Sequence, residues 1–176
     1  EACRQVWEAA LRHPLVRDST RLRETKRYPE AFRYLGWCSW EEYRGKIDEN
    51  VLLGAVDSIE ASGLPVRWLL VDNGYVDETE RRLNSFQPNS KFPRGWAPLV
   101  ARRNLEKIRW MGLWLNFNGY WSGVHPDNRL GTLNEHLERV SGGRRPITGG
   151  TLQPRLGFDH SFAFYDAMLG TARAAG

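Results

Sequence analysis

Two short apolar segments flank a helical pattern between residues 34 and 75. The outer segments, YLGWCSW and LPVRWLLVDNGY, have the branched and aromatic composition of buried strands, and VLLGAVDSIEASG between them repeats its apolar positions at helical spacing. We expect Asp48 to cap the helix at its start, and Gly63 followed by Pro65 to end it. A strand–helix–strand unit of this length predicts two parallel strands joined by a right-handed crossover.

The pattern also predicts where the elements of the chain begin and end. Around the central unit we expect a helix at 2–12, an extended basic segment at 15–33, strands at 34–38, 66–72 and 112–117, and helices at 49–62, 99–110 and 160–175. The second strand is almost continuously apolar, which is typical of a strand covered on both faces. Residues 118–158 are rich in Gly, Pro, Asn and Arg and predict a long loop with one or two helical turns near 134–140.

Parallel strands alternating with helices predict an α/β fold. We interpret the chain as the first three βα units of a TIM (β/α)8 barrel, truncated before strand four, because no strand follows the last expected helix. Residues 1–33 are expected to form an N-terminal helix and an extended entry segment, and residues 34–176 the partial barrel. A complete small α/β domain is the alternative.

Composition narrows the class of protein. The 176 residues are 41% hydrophobic and 26% charged, as in ordinary globular proteins, but eight Trp suggest a packed aromatic core or stacking platforms for a ligand. The net charge of +4 comes from scattered arginines, so we expect no nucleic-acid partner. No apolar run is long enough to span a membrane, so we expect no membrane partner. Oligomeric state stays open.

Cysteine and histidine usage bears on metals and on compartment. Two cysteines, Cys3 and Cys38, cannot form a disulfide framework, and we expect both to be free thiols. The four histidines are dispersed, so no metal site is predicted. The chain begins at Glu1 and shows no signal sequence, which favours the cytoplasm while leaving a removed targeting segment open.

Polar and aromatic side chains follow the first two expected strands where those strands end. Ligands of parallel sheets bind beyond the carboxyl ends of the strands, so Trp37, Trp40, Asp72 and Asn73 are expected to converge on one mouth. A carboxylate and an amide beside aromatic rings suit a sugar, whose hydroxyls need acceptors and donors and whose apolar face stacks on a ring. The alternative is that Asn73-Gly74 is only a hairpin turn, although a parallel strand before it fits a hairpin poorly.

Four motifs in order resemble the raffinose synthase and seed imbibition protein family, which lies within the α-galactosidase-like glycoside hydrolases of the family thirty-six type. The motifs are LGWCSWEEY, PVRWLLVDNGY, NSKFPRGW and GLWLNFNGYWSGVHP, and they fall within residues 28–130. The segment FAFYDAMLGTARAAG resembles the helix before the family's nucleophile strand. The resemblance implies a TIM barrel, a carbohydrate substrate of the α-galactoside class and no cofactor.

The resemblance also implies a retaining mechanism that uses two aspartates. One aspartate, in a Lys-x-Asp motif after strand four, attacks the anomeric carbon, and a later one is the general acid and base, with the two carboxyls about 5 to 5.5 Å apart. Both belong beyond the third strand, so we expect no catalytic residue in this chain. It is expected to hold sugar-binding residues of a galactoside hydrolase or transglycosidase. The alternative is a catalytically silent carbohydrate-binding homologue.

Residue by residue, the resemblance assigns sugar-binding roles to six positions. Asp72 matches the first aspartate of the family's Asp-Asp-Gly-Trp motif, whereas Asn73 and Tyr75 replace its second aspartate and its tryptophan. An amide adds donors and removes a charge, so we expect weaker galactose binding or a shifted sugar preference. The expected substrate-binding residues are Trp37, Trp40, Asp72, Asn73, Tyr120 and Trp121; core packing is the alternative for Trp37 and Trp40, and anchoring of the long loop for Tyr120 and Trp121.

Overall fold

The structure is a computed structural model that describes residues 1–141 and 150–176. The chain divides into two compact units, Glu1–Arg33 and Tyr34–Gly176. In the first unit, α1 (Ala2–Leu11) confirms the expected N-terminal helix, and short 3-10 turns follow at Arg23–Thr25 and Glu30–Arg33. None of the residues of α1 is buried, so this helix contributes no core.

The second unit mixes helices with parallel and antiparallel strands. In chain order its elements are β1 (Leu35–Cys38), α2 (Trp40–Tyr43), α3 (Glu49–Ala61), β2 (Val66–Val71), β3 (Val76–Thr79), β4 (Arg82–Pro88), α4 (Ala97–Val100), β5 (Trp110–Leu113), a 3-10 helix (Gly131–His136), β6 (Leu137–Val140), β7 (Thr151–Pro154) and α5 (Phe158–Ala174). Strands β1, β2 and β5 pair in parallel in the order β1–β2–β5. The α/β class is therefore confirmed, while closure into a barrel stays a prediction.

Helix α3 crosses over between β1 and β2, as the apolar pattern predicts. Its N-cap is Asp48, whose Oδ1 accepts a hydrogen bond of 2.8 Å from the Val51 amide. The helix ends at Ala61, and Gly63 follows with φ +71, a left-handed value that glycine adopts freely. Its buried face places Leu52 and Val56 in the core with the side chains of β2.

The two faces of the parallel sheet are covered differently. Successive strand residues point to opposite faces, and the face carrying Leu69 and Val71 is buried against α3. On the other face, Trp68 and Leu70 are only half-buried. Val66 on that same face is buried, so among the described residues β2 is covered fully on its α3 face and only in part on the other.

The strand expected at 112–117 and the helix expected at 99–110 are both shorter than predicted. Strand β5 covers Trp110–Leu113 rather than 112–117, and the expected helix at 99–110 is reduced to one turn, Ala97–Val100. The turns expected near 134–140 are a 3-10 helix that gives way to β6. By contrast, α5 at Phe158–Ala174 confirms the last helix to within two residues.

Two antiparallel hairpins occupy segments that the sequence pattern left as loops. Strands β3 and β4 pair through a two-residue turn in which Glu80 and Arg81 have φ of 51 and 63, the left-handed values of a type I′ turn. The turn lacks the Asn or Gly that usually marks this geometry, so the pattern did not reveal it. Strands β6 and β7 form the second hairpin within the long loop expected at 118–158, and residues 142–149 of that loop lie outside the described residues.

A second apolar cluster joins the hairpins to α5. It contains Phe164 and Met168 of α5, packed with the buried side chains Leu83, Tyr120, Val124, Leu130 and Leu137. Tyr120 is thus anchored in this cluster although it follows β5 in the chain. The cluster positions the loop after β5 beside the end of β2.

Candidate functional site

The carboxyl end of β2 carries Asp72 and Asn73 side by side. The backbone N–H of Asn73 donates to Oδ1 of Asp72 at 2.6 Å, and both side chains are half-buried. The turn continues through Gly74, whose φ is +128 and where an added Cβ would lie 2.9 Å from the backbone of Gly45. Asn73-Gly74 is therefore a turn that leaves a parallel strand. It is not a hairpin turn, which agrees with the interpretation that the sequence favoured.

Residues at the end of β1 hold Asp72 in place. Cys38 pairs with Leu70 in the sheet, so its side chain points to the same face as that of Asp72, and Cys38 Sγ donates to Asp72 Oδ2 at 3.4 Å. The Asp72 amide nitrogen donates to Oγ of Ser39 at 2.9 Å, and Ser39 is fully buried. Burial and the contact with Asp72 raise the pKa of the Cys38 thiol, so it stays a protonated donor. The sequence patterns did not single out Cys38 or Ser39 as site residues.

A residue from the loop after β5 holds Asn73. The hydroxyl of Tyr120 donates to Asn73 Oδ1 at 2.7 Å, across a separation of 47 positions in the chain. Tyr120 itself is buried in the second apolar cluster and meets Trp114 edge-on, with ring centroids 6.4 Å apart. Burial raises the pKa of the Tyr120 phenol, so the hydroxyl keeps the proton that it donates.

Trp121 is an exposed aromatic residue of the loop after β5. More than half of its side-chain surface is accessible, and its ring lies 5.5 Å from that of Trp114. The guanidinium of Arg81, at the tip of the β3–β4 hairpin, lies 5.9 Å from the Trp121 ring centroid. Trp114 is half-buried and contacts both Tyr120 and Trp121, so it supports both rings.

Trp37 and Trp40 lie differently from the side chains at the end of β2. Trp37 pairs with Leu69 in the sheet, so it points to the face that packs against α3, and it meets Tyr43 edge-on at 6.1 Å. Trp40 begins α2 and lies under the Arg44 guanidinium, 5.4 Å from its ring. Within the described residues, no hydrogen bond or ring contact joins either tryptophan to Asp72 or Asn73.

Tyr75 stabilises the turn between β2 and β3 from within the core. Its hydroxyl donates to the carbonyl oxygen of Trp114 at 2.6 Å, and its ring meets Trp96 edge-on at 5.1 Å. Burial, together with the nearby charge of Asp72, raises the pKa of the Tyr75 phenol. Tyr75 therefore links β2 to the residue that follows β5.

Charge and metal-ligand chemistry limit what the site can do by itself. Asp72 is the carboxylate at the end of β2, and the part of the chain that the structure describes contains no group of three or more His, Cys, Asp or Glu arranged to hold a metal ion. The chain has one Lys-x-Asp tripeptide, Lys46-Ile47-Asp48, but Asp48 is the N-cap of α3 and not a strand-end residue. None of the helices in residues 1–141 and 150–176 combines the length and apolarity needed to cross a membrane.

Known proteins resemble this chain in both sequence and structure. Residues 4–94, just over half of the chain, match the family described as raffinose synthase or seed imbibition protein Sip1. Two relatives are from Arabidopsis thaliana. The probable galactinol–sucrose galactosyltransferase 6 is 26% identical over 147 residues, which are 71% of this chain and 20% of that protein. The probable galactinol–sucrose galactosyltransferase 1 is 21% identical over 134 residues, 59% and 18% respectively.

Solved structures of TtGalA, an α-galactosidase from Thermus thermophilus, match most of the chain. The complex with stachyose gives a TM-score of 0.54 at 27% identity, covering 80% of this chain and 30% of that protein. The complex with p-nitrophenyl α-D-galactopyranoside gives a TM-score of 0.56 at 26% identity, covering 81% of this chain and 29% of that protein. This chain thus spans about a fifth of the curated relatives' length and under a third of the solved structures' length. With its family match over residues 4–94, it belongs to the raffinose synthase and seed imbibition protein family of α-galactosidase-like glycoside hydrolases.

Proposed function

We propose that this chain supplies sugar-binding residues to a retaining glycoside hydrolase or transglycosidase that acts on α-galactosides. The observation that carries the proposal is the pairing of Asp72 and Asn73 at the carboxyl end of β2, each held by a hydrogen bond from a neighbouring segment. Ligands of parallel sheets bind at this end of the strands. The structural relatives are α-galactosidases in complex with galactosides, which supports the same substrate class here.

The proposed architecture is a (β/α)8 barrel of which β1, β2 and β5 are the first three strands. Support comes from the parallel order β1–β2–β5 and from the face on which Trp68 and Leu70 are only half-buried, because parallel sheets are normally covered on both faces. We propose residues 1–33 as an entry segment and residues 34–176 as part of this barrel. The nucleophile and the general acid and base are proposed to lie outside these residues.

The proposed sugar-binding set keeps the six residues that were predicted from the sequence, but their roles differ from one another. Asp72 and Asn73 bind hydroxyls, Trp121 stacks on the sugar or on its aglycone, and Tyr120 holds Asn73. Trp40 lines the opposite side of the mouth beside Ser39. Trp37 supports this wall from the α3 face of the sheet.

A catalytically silent carbohydrate-binding protein is the second candidate. It is favoured by Asn73, which places an amide where the family motif has its second aspartate. Both candidates predict binding of an α-galactoside. They differ in whether a protein that contains this chain releases or transfers galactose.

Calorimetric titration of the chain with p-nitrophenyl α-galactoside and with stachyose tests the proposal. We expect binding by the wild-type chain, loss of roughly tenfold or more in affinity for Asp72→Asn because a charged hydrogen bond to the sugar becomes neutral, and no change for Asp18→Asn, an exposed aspartate in the first unit. Circular dichroism establishes that each variant is folded. A folded wild-type chain that binds neither ligand would refute the proposal.

A parallel assay of nitrophenol release separates the two candidates. We expect no release by residues 1–176 alone, because the catalytic aspartates are proposed to lie elsewhere. Release by a longer protein that contains this chain would support the hydrolase. Binding without release or galactosyl transfer by that longer protein would support the silent binding protein.

A further inference from the structure

The hydrogen bond from Tyr120 to Asn73 decides which atoms of the amide face outward. Tyr120 Oη lies 2.7 Å from Asn73 Oδ1, and the tyrosine ring is held by burial among the side chains of the second apolar cluster. A neutral phenol donates one hydrogen, and the amide oxygen is the acceptor on Asn73. The oxygen of Asn73 is therefore occupied by the protein itself.

The amide nitrogen of the Asn73 side chain is left for a ligand. Among the described residues, Nδ2 of Asn73 has no hydrogen-bond partner, and no buried side-chain nitrogen or oxygen lacks one. Nδ2 is consequently accessible to solvent at the end of β2. Position 73 thus presents donors, where an aspartate would present only acceptors.

Asp72, next to it, presents the opposite chemistry. Its two carboxylate oxygens accept from the backbone N–H of Asn73 and from Cys38 Sγ, and each oxygen can accept a further hydrogen. Acceptors and donors therefore stand on consecutive residues. A sugar hydroxyl is both a donor and an acceptor, so it can satisfy both groups together.

We propose that Tyr120 is a specificity-determining residue, which fixes Asn73 as a hydrogen-bond donor so that Asp72 and Asn73 engage a sugar hydroxyl in its donor and acceptor roles. This inference rests on the proposed function and adds the direction of each hydrogen bond. The fixed orientation of Asn73 selects ligands that offer a hydrogen-bond acceptor to its side-chain NH₂ group. A pair of aspartates would instead require two donated hydrogens from the sugar.

Deoxy and deoxyfluoro derivatives of methyl α-galactoside test the direction of these bonds. Fluorine can accept a hydrogen bond weakly but cannot donate one, whereas a deoxy position does neither. At one ring position we expect the wild-type chain to bind the fluoro derivative roughly threefold to tenfold more tightly than the deoxy derivative, the range of one neutral hydrogen bond. Asn73→Asp removes the donor and should abolish that preference.

Tyr120→Phe tests the part assigned to the tyrosine. Without the hydroxyl the amide can rotate, so the preference for fluoro over deoxy should fall by at least half. Tyr165→Phe is the matched control, because the Tyr165 hydroxyl also donates one hydrogen bond, in its case to the backbone carbonyl of Phe117 and away from Asn73. It should keep the wild-type preference.

An amide signal in the wild-type protein provides a measurement that does not depend on the stability of a variant. The side-chain NH₂ resonances of Asn73, assigned by their absence from Asn73→Asp, should shift on saturation with methyl α-galactoside. Saturation without such a shift, or an unchanged fluoro preference in a folded Tyr120→Phe, would overturn the inference and leave the proposed function standing. A wild-type chain that binds no α-galactoside would instead refute the proposed function.

Discussion

The indole ring of Trp68 on β2 lies directly over Gly36 on β1. A Cβ atom at residue 36 would overlap three atoms of that ring, and the indole Nε1 donates to the carbonyl oxygen of Tyr34 at 3.1 Å. The two residues are partners in the parallel register. Gly36 is therefore required by a close approach between strands and not by its backbone angles.

Gly36→Ala should destabilise the fold, because the indole must move and lose its hydrogen bond. We expect the free energy of unfolding to fall by about 1 kcal/mol, the contribution of one hydrogen bond. Gly54→Ala is the control. Gly54 lies on the exposed side of α3 with open space around it, so alanine there should stabilise the protein by roughly 0.5 to 1 kcal/mol. Urea denaturation of both variants measures this; equal effects would contradict the Trp68 contact.

Asp48→Ala should destabilise α3 by removing its N-cap. The hydrogen bond from the Val51 amide to Asp48 Oδ1 would be lost, at a cost of about 1 kcal/mol. Asp48→Asn keeps a capping oxygen and should stay within a few tenths of a kcal/mol of the wild type. Urea midpoints distinguish the two, and an equal loss in both would show that the charge of Asp48 matters more than its cap.

Tyr75→Phe should make the protein less stable at neutral pH and less sensitive to alkali. At neutral pH the variant loses the hydrogen bond to Trp114, worth about 1 kcal/mol. Because burial raises the pKa of Tyr75 in the folded protein above the unfolded value of about 10, its stabilising contribution is complete below pH 10 and is lost as the pH rises further.

Urea midpoints at pH 8, 10 and 11 measure this difference. Stability of the wild type should fall more steeply above pH 10 than that of Tyr75→Phe. Tyr28→Phe, at an exposed tyrosine of the first unit, should follow the wild type. Parallel curves for all three proteins would contradict the shift assigned to Tyr75.

Cys38 should react with iodoacetamide more slowly than Cys3. Cys3 is exposed, whereas Cys38 is half-buried, and burial together with Asp72 raises the pKa of its thiol, which lowers the population of the reactive thiolate. At pH 8 we expect a difference on the order of tenfold, measured by peptide mass spectrometry. Asp72→Asn should speed the alkylation of Cys38 and leave Cys3 unchanged, and urea should bring the two rates together.

The local elements were predictable because their signals lie within short stretches of chain. The run VLLGAVDSIEASG specified α3, its cap and its end, and the run VRWLLV specified a strand parallel to β1. The β3–β4 hairpin was missed because Glu80 and Arg81 adopt left-handed angles without the residues that favour them. The pairing with β4 holds that turn, and pairing is a tertiary property.

The candidate site was likewise predictable from the sequence only in part. The position of Asp72 and Asn73 after an apolar strand was enough to place them at the mouth of a parallel sheet, and the motifs around them were enough to indicate the family. The partners of these two residues were not predictable, since Cys38 is 34 positions from Asp72 and Tyr120 is 47 from Asn73.

By itself, the sequence determined the α/β class, the family and the residues at the end of β2. Hydrophobic spacing and motif order can be read from short stretches of the chain. Only the tertiary structure decided which face of the sheet each side chain joins. It places Trp37 on the α3 face, and Cys38, the next residue of the strand, therefore lies on the face of Asp72. The orientation of Asn73 was decided there too, because a hydrogen bond depends on the position of an atom that burial of Tyr120 fixes from another part of the chain.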